Sequence, residues 1–351
     1  MKNILVTGGC GFIGSNFIRY LFEKTDFVGR VVNVDKLTYA GNPDNLTDIA
    51  DKYFTRYFFE KTDICDVRCL PVIFDKFDID SVVHFAAESH VDRSISGPEE
   101  FINTNIMGTF NLLETIRLYK KPFTRLHHVS TDEVYGSLGD EGLFTEKTPY
   151  DPHNPYSATK ASADHLVRAY NHTYGIPVTI SNCSNNYGPY QFPEKLIPLI
   201  ILNASEYREL PVYGDGKNIR DWLYVDDHCN AIWSILNNGK NGETYNVGGN
   251  TEMTNIAIVE TICDMFDEID EIGPYTNSRR NCIKFVKDRP GHDMRYAIDS
   301  SKLQKELQWV PAESFSSGIY KTIMWYLNND LWVERVKNNE YMSWITKQYC
   351  E

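Results

Sequence analysis

Residues 3–14 read NILVTGGCGFIG, a short apolar run that passes without a break into a glycine-rich turn. Gly8, Gly11 and Gly14 stand at G-x-x-G-x-x-G spacing, and the helical pattern FIGSNFIRYLFEK (12–24) follows at once. A strand feeding a glycine turn and then a helix is the arrangement that cradles a dinucleotide pyrophosphate. The glycines permit a tight turn, and they let backbone N–H groups at the helix start approach the phosphates. Three glycines alone could equally make a structural turn. The deciding context is Asp35, which closes the next apolar run VVNVD (31–35), 21 residues beyond Gly14. A carboxylate there can accept from a ribose hydroxyl and would repel a 2′-phosphate, so NAD is expected rather than NADP. Lys36 follows immediately and works against that inference.

Outward from this stretch, RYFFE (56–60), SVVHFAA (81–87), RLHHVS (125–130) and VTISNC (178–183) are further strand candidates, and the run EEFINTNIMGTFNLLETIRLY (99–119) is helical. Runs 3–7, 31–35 and 81–87 lean toward continuous apolar character rather than alternation, as in a parallel sheet covered on both faces. The fold expected is α/β, with a doubly wound, Rossmann-type parallel sheet over residues 1–188. Past residue 185, NNYGPYQFPEK and YGDGKNIRDW are loop-like, with frequent Gly and Pro. A smaller mixed α/β substrate-binding lobe is expected over 189–351, with segments 224–255 and 314–330 packing back on the first domain. The acidic run DMFDEIDEIG (264–273) reads as a solvated helix end.

The 351-residue chain is 42% apolar and 24% charged, ordinary for a soluble globular protein. Its formal net charge of -13 speaks against nonspecific binding of nucleic acid or an anionic membrane. An anionic small molecule would need a local cluster of cations. No apolar run approaches the roughly 20 residues that span a bilayer, and a strand beginning at residue 3 leaves no room for a signal peptide. Eight cysteines without framework spacing read as reduced thiols of a cytoplasmic protein. Cys65 and Cys69 have no second pair of ligands nearby in sequence, so no metal is implied.

The second anchor is NPYSATKASADH (154–165). Asn154 suits a helix N-cap and Pro155 the first helical position, which puts Tyr156 and Lys160 one turn apart on one face. An ammonium near the phenol, aided by the helix start and the nicotinamide's positive charge, would lower the tyrosine pKa from its usual ~10 and make it a usable base. Tyr-x-x-x-Lys is a common surface spacing; together with the glycine turn, in this order and at this distance, it becomes a strong signal. In STDEVYG (130–136), Asp132 and Glu133 are adjacent carboxylates at the end of an interior strand, costly if buried and unpaired.

With LTYAGNPDNL (37–46), FAAESHVDRSI (85–95), SNNYGPYQFPEKLIPL (184–199), GDGKNIRDWLYVDDH (214–228) and DRPGHDMRYAID (288–299), these motifs resemble the dTDP-glucose 4,6-dehydratases of the extended short-chain dehydrogenase/reductase superfamily. The resemblance covers roughly residues 1–330. Cys10, where that family usually carries a small residue such as Ala, departs from it. The resemblance implies cofactor contacts from Gly8, Gly11, Phe12, Ile13, Gly14, Asp35, Lys36, Thr38, Asp63, Ile64, Ala86, Thr104, Tyr156, Lys160 and Asn186. It implies oxidation at a sugar C4 by Tyr156, Lys160 and Thr131 with NAD, then proton removal from C5 by Glu133 and protonation of the departing C6 hydroxyl by Asp132, then return of hydride to C6. Sugar-nucleotide contacts are implied for Ser89, Thr131, Asn185, Lys195, Leu196, Tyr213, Arg220, Asn255, Arg289 and His292. Related 4-epimerases carry small or neutral residues where the acidic pair stands, and GDP-mannose dehydratases have Ser in place of the Asp. A UDP-glucose dehydratase, a nucleotide-sugar 4-epimerase and a noncatalytic NAD-binding regulator are the competing readings. By resemblance a homodimer is expected, pairing helices near 99–119 and 156–174. His84, His127 and His128 read as core or surface residues rather than ligands.

Overall fold

The structure is a computed structural model that describes residues 1–269, 278–288 and 291–337. Strands β1 (Asn3–Thr7), β2 (Arg30–Asp35), β3 (Tyr57–Lys61), β4 (Ser81–His84), β5 (Arg125–Thr131) and β6 (Val178–Cys183) alternate with helices, among them Phe12–Lys24, Cys69–Phe77, Thr109–Leu118 and Pro155–Tyr174. Beyond them come β7 (Asn185–Tyr187), β8 (Leu210–Tyr213), β9 (Ile219–Tyr224), β10 (Thr244–Val247), β11 (Glu252–Thr254) and β12 (Ile283–Val286). The main sheet runs β10-β6-β5-β4-β1-β2-β3 with every pairing parallel. Chain order reverses between β1 and β4, the switch point beyond whose carboxyl ends such sheets open a crevice. All of β1 and all of β4 are buried, which is why both read as near-continuous apolar runs.

The smaller lobe holds a three-stranded sheet, β11-β9-β7, and a two-stranded pair, β12-β8. Helix Val225–Asn238 lays Val225, Cys229, Ile232 and Leu236 against Phe17, Ile18 and Leu21 of helix Phe12–Lys24, and β10 then pairs with β6. Segment 314–330 differs from the reading above. Its helix Phe315–Leu327 puts Ile319, Ile323 and Tyr326 into the cluster of the smaller lobe, with Tyr187, Ile200 and Trp222. That apolar face finds its complement in helix Leu196–Ser205, which is buried along most of its length. Within the acidic run, Asp264 pairs with Arg280, and Asp267 with the buried Arg279; residues 270–273 of that run lie outside the described residues.

The helix read over 99–119 is in three pieces: Pro98–Phe101, a π-helical turn at Ile102–Gly108, and Thr109–Leu118. Such wide turns cluster at functional sites. Here Gly108 is pressed against the residues after β3, since a Cβ on it would stand 2.5 Å from Ile64 Cδ1. Asn105 from the wide turn accepts from Glu88 N at 2.8 Å and donates to Thr159 Oγ1 at 2.9 Å. The turn therefore holds the exit of β4 against helix Pro155–Tyr174.

Candidate active site

Helix Phe12–Lys24 starts from an extended Gly11 with no side-chain cap, so its first N–H groups face the crevice with no capping side chain over them. Gly8 has φ +73°, and a Cβ there would lie 2.6 Å from the Ala86 nitrogen; the glycine turn is closed against the end of β4 and leaves its other side to phosphate. Asp35 ends β2 with its carboxylate fixed by Cys10 N at 2.9 Å and Leu37 N at 2.8 Å. The Lys36 ammonium donates to Thr104 Oγ1 at 3.2 Å and lies 3.7 Å from Asp63 Oδ2. Its charge is thus answered within the protein, which removes its objection to NAD. Asp63 also caps its own turn, accepting from Cys65 N at 2.8 Å. Phe12, Ile13, Gly14, Thr38, Ile64, Ala86 and Asn186 line the same cleft. Donors at a helix start, a glycine cradle and a ribose-height carboxylate fit a dinucleotide.

The cleft continues to the second anchor. Helix Pro155–Tyr174 begins with a capping box: the Asn154 side chain accepts from Ser157 N at 2.9 Å, and Ser157 Oγ accepts from Asn154 N at 3.2 Å. This fixes Tyr156 and Lys160 at the floor of the cleft. Lys160 is buried and donates to the Val129 carbonyl at 2.8 Å. Burial, and next the charge of Glu133, hold the Tyr156 phenol well above its ordinary range, against a hydrogen bond from Thr131. The depressed tyrosine pKa expected from sequence is therefore not produced by the polypeptide alone. Lys160 turns its ammonium toward the Val129 carbonyl.

Asp132 and Glu133 open a single 3-10 turn, Asp132–Tyr135, at the carboxyl end of β5. Thr131 caps that turn by accepting from Glu133 N at 3.3 Å. The two neighbours part sharply in environment. Asp132 is 1% exposed, and burial, Glu133 and Asp221 push its pKa well up, with Arg220 and Thr131 opposing. Its Oδ2 is buried without a hydrogen-bond partner among the described residues. Glu133 is half-buried on the cleft wall, and its charge is felt by Asp132, Tyr156 and Tyr296. One carboxyl is held for protonation beside one available as a base.

A family model described as GDP-mannose 4,6 dehydratase matches residues 5–322. The dTDP-glucose 4,6-dehydratase 1 of Escherichia coli K12 is 56% identical, the match covering 99% of this chain and 98% of that protein. The dTDP-glucose 4,6-dehydratase of Neisseria meningitidis serogroup B is 54% identical over 97% of this chain and 98% of its own. The chain belongs to the dTDP-glucose 4,6-dehydratase family. A Streptomyces venezuelae member solved with NAD bound superposes with a TM-score of 0.87 at 43% identity, covering 95% of this chain and 100% of that one. A UDP-glucose 4-epimerase from Thermotoga maritima still gives 0.81 at 26% identity, covering 93% and 99%. The fold is shared with epimerases, so the fold by itself does not separate a dehydratase from an epimerase.

Of the substrate contacts read from sequence, Ser89, Thr131, Asn185 and Lys195 line the cleft together with Asp132, Glu133, Tyr156 and Lys160, and Lys195 Nζ donates to the Ser89 carbonyl at 3.0 Å. Leu196 starts helix Leu196–Ser205, and Asn255 starts helix Asn255–Ile269. Tyr213 ends β8 with its ring 6.2 Å from that of His292, and its hydroxyl donates to Asp92 at 3.4 Å, bridging the lobes. His292 Nδ1 lies 2.7 Å from Asp288 Oδ1. Arg220 is buried, donates to the carbonyls of Ile219 at 2.7 Å and Asp293 at 2.9 Å, and stands 4.3 Å over the Tyr296 ring. Arg289 lies outside the described residues.

Sequence reasoning missed Asp221, Tyr296 and Glu194. Asp221 accepts from Gly249 N at 2.9 Å and Thr251 N at 2.6 Å and faces Asp132 electrostatically. Glu194, 5% exposed, receives Tyr39 at 2.9 Å and Arg93 at 3.2 Å, tying the 37–46 loop and helix Val91–Ser96 to the smaller lobe across the cleft mouth. Both acids sit directly beside basic residues that were singled out, Arg220 and Lys195, and that adjacency was the available signal.

Proposed function

We propose that the protein is a dTDP-glucose 4,6-dehydratase in action as well as by family, yielding dTDP-4-keto-6-deoxyglucose. The single observation that carries this is Asp132: a fully buried carboxyl with a raised pKa and an oxygen that has no hydrogen-bond partner among the described residues, one residue from a carboxylate on the cleft wall. Oxidation and epimerisation need no such pair; loss of water needs an acid and a base at once. Gly8, Gly11, Gly14, Asp35, Tyr156 and Lys160 would hold NAD, which supplies reversible oxidation, taking hydrogen from C4 and giving it back at C6.

Tyr156 accepts the proton of the C4 hydroxyl, with Thr131 sharing the hydrogen bond and Lys160 supplying positive charge. The resulting C4 ketone acidifies C5–H enough for Glu133 to remove it. Asp132 gives its proton to the departing C6 hydroxyl, and water leaves. As hydride returns to C6, C5 takes up a proton by way of Glu133 in exchange with solvent, and the proton held by Tyr156 passes through solvent to restore Asp132. Lys195, Arg220 and Arg289 are the cations assigned to the pyrophosphate, with Asn185, Asn255 and His292 as further donors and Ser89, Leu196 and Tyr213 shaping the pocket. In this division residues 1–188 are chiefly the cofactor domain and residues from 189 onward chiefly the sugar-nucleotide lobe.

Cytoplasmic residence and a homodimer belong to the same reading. The seven described cysteines are free thiols, and Ile102, Met107, Leu118 and Tyr174 are exposed apolar side chains on the helices assigned to the dimer. Light scattering at micromolar concentration should give twice the chain mass; a monomer would remove the dimer.

Mass spectrometry of the sugar nucleotide after incubation with the NAD-loaded protein tests the activity. Loss of one water from dTDP-glucose, with bound NAD returned to its oxidised form, is expected. An unchanged mass with an inverted C4 would make it an epimerase, and dehydration of UDP-glucose alone would overturn the nucleotide assignment.

A further inference from the structure

A fully buried carboxylate lies one helical turn beyond Lys160, and the reaction above leaves it without a task. Asp164 is 0% exposed and follows Lys160 by four residues on helix Pro155–Tyr174, so both project on one face toward the sheet. Its Oδ2 accepts from Ser130 Oγ at 2.9 Å and from the Tyr150 hydroxyl at 2.8 Å, and its Oδ1 lies 3.2 Å from His128 Nε2. The Tyr150 hydroxyl is itself held by Arg168 Nη2 at 2.6 Å. A carboxylate at this depth persists only with filled hydrogen-bond sites and a counter-charge. Hydrogen bonds meet the first requirement at Oδ2 alone; Oδ1 has no hydrogen bond among the described residues and only the His128 ring beside it, which leaves more to the counter-charge. The formal cation on the same helix face is Lys160, which is 5% exposed, stands beyond direct ion-pair contact with Asp164 and donates to the uncharged Val129 carbonyl.

We propose that Asp164 is a positioning residue for Lys160, its buried carboxylate being the fixed counter-charge that keeps Lys160 an ammonium at the cleft floor. This rests on the reaction proposed above, in which Lys160 acts as a cation beside Tyr156. Burial pushes Lys160 down and Asp164 pushes it back up, while His128 and Lys160 hold Asp164 low. His128 is itself driven down by burial and by Lys160, so it stays a neutral ring that can offer Nε2–H to Asp164. The other groups facing the pair are Arg168 on the same helix, His84 of β4, Cys183 of β6 and the hydroxyls of Tyr135 and Tyr150. Arg168 is the one further formal charge among these, and it reaches Asp164 through Tyr150.

The test is the pH profile of the first chemical step, read as NADH absorbance in a single turnover from about pH 6 to about pH 10. Asp164→Asn should move the alkaline limb, where Lys160 loses its proton, down by about 1 unit or more, the low end of a close opposite charge's effect. Bound NAD per chain should stay at the parental value. Tyr150→Phe removes a hydrogen bond to Asp164 but no charge, so its limb should stay in place. A limb unmoved by Asp164→Asn, or moved as far by Tyr150→Phe, overturns the proposal. A stability cycle gives an independent reading even if Asp164→Asn alone fails to fold or the parent does not oxidise dTDP-glucose. Lys160→Met strands the carboxylate, so adding Asp164→Asn should raise the melting temperature above that of Lys160→Met alone. A double variant that melts no higher refutes the pairing.

Discussion

Asp132→Asn should make the folded protein more stable while it damages catalysis. Asp132 is 1% exposed, and burial, Glu133 and Asp221 raise its pKa well above the unfolded value. Between the unfolded and folded pKa values the native state holds the proton and the unfolded chain does not, so stability falls as pH rises through that window. Each pH unit above the unfolded value of ~3.9 costs about 1.4 kcal/mol until the folded group ionises. The ceiling at pH 7 is therefore about 4 kcal/mol, three units' worth. Asn carries no such charge. Its amide nitrogen inherits the unpartnered place of Oδ2, which returns about 1–3 kcal/mol of cost. The net gain at pH 7 is therefore at most about 1–3 kcal/mol, and it shrinks toward low pH, where Asp is protonated in both states. Urea midpoints of parent and variant at several pH values, with NAD in equal excess, measure this. A variant no more stable than the parent at pH 8, or a difference independent of pH, would refute the reasoning.

Tyr156→Phe removes the base for oxidation, so bound NAD should stay oxidised when dTDP-glucose is added, with NAD content unchanged on extraction. Glu133→Gln keeps Tyr156 and Lys160 and loses the C5 base, so NADH absorbance should rise and persist; C5 exchange with solvent at the parental rate would remove Glu133 from that role. Arg220→Ala should weaken sugar-nucleotide binding by roughly 10-fold or more, the scale of a lost charge-assisted hydrogen bond, with NAD content unchanged by absorbance. Trp332→Phe strands Asn45 Oδ1, now reached by Trp332 Nε1 at 2.7 Å. Because Asn45 Nδ2 also holds the Cys10 carbonyl in the glycine loop at 2.9 Å, the variant should lose about 1–3 kcal/mol in urea titrations and release NAD faster in a fluorescence chase.

What was legible in the chain is what backbone geometry dictates locally. Asn3–Thr7, Phe12–Lys24 and Val178–Cys183 have the limits their patterns imply, because an apolar run, a glycine turn and an amphipathic repeat are local signals. Asn154, Pro155 and Tyr156 could be placed for the same reason, through cap chemistry. The π-helical turn at Ile102–Gly108 could not, since it answers to the contact of Gly108 with Ile64, a residue 44 positions earlier. Glu194 and Asp164 were likewise silent. The carboxylate of Glu194 gains meaning only from Tyr39 and Arg93 on distant elements, and that of Asp164 from Ser130, His128 and Tyr150. The Tyr156 phenol shows the limit of motif reasoning: the spacing to Lys160 was right, but the sign of its pKa shift depends on burial and on Glu133, which spacing does not encode.

The central claim is that oxidation at C4, elimination across C5 and C6, and reduction at C6 occur on one bound sugar. The most direct measurement uses dTDP-glucose carrying deuterium at C4, with the product isolated from the NAD-loaded protein and its label located by NMR. Deuterium is expected at C6, with a solvent-derived hydrogen at C5, of a 4-keto-6-deoxy product. Deuterium returned to C4 of a sugar that has lost no water would contradict it.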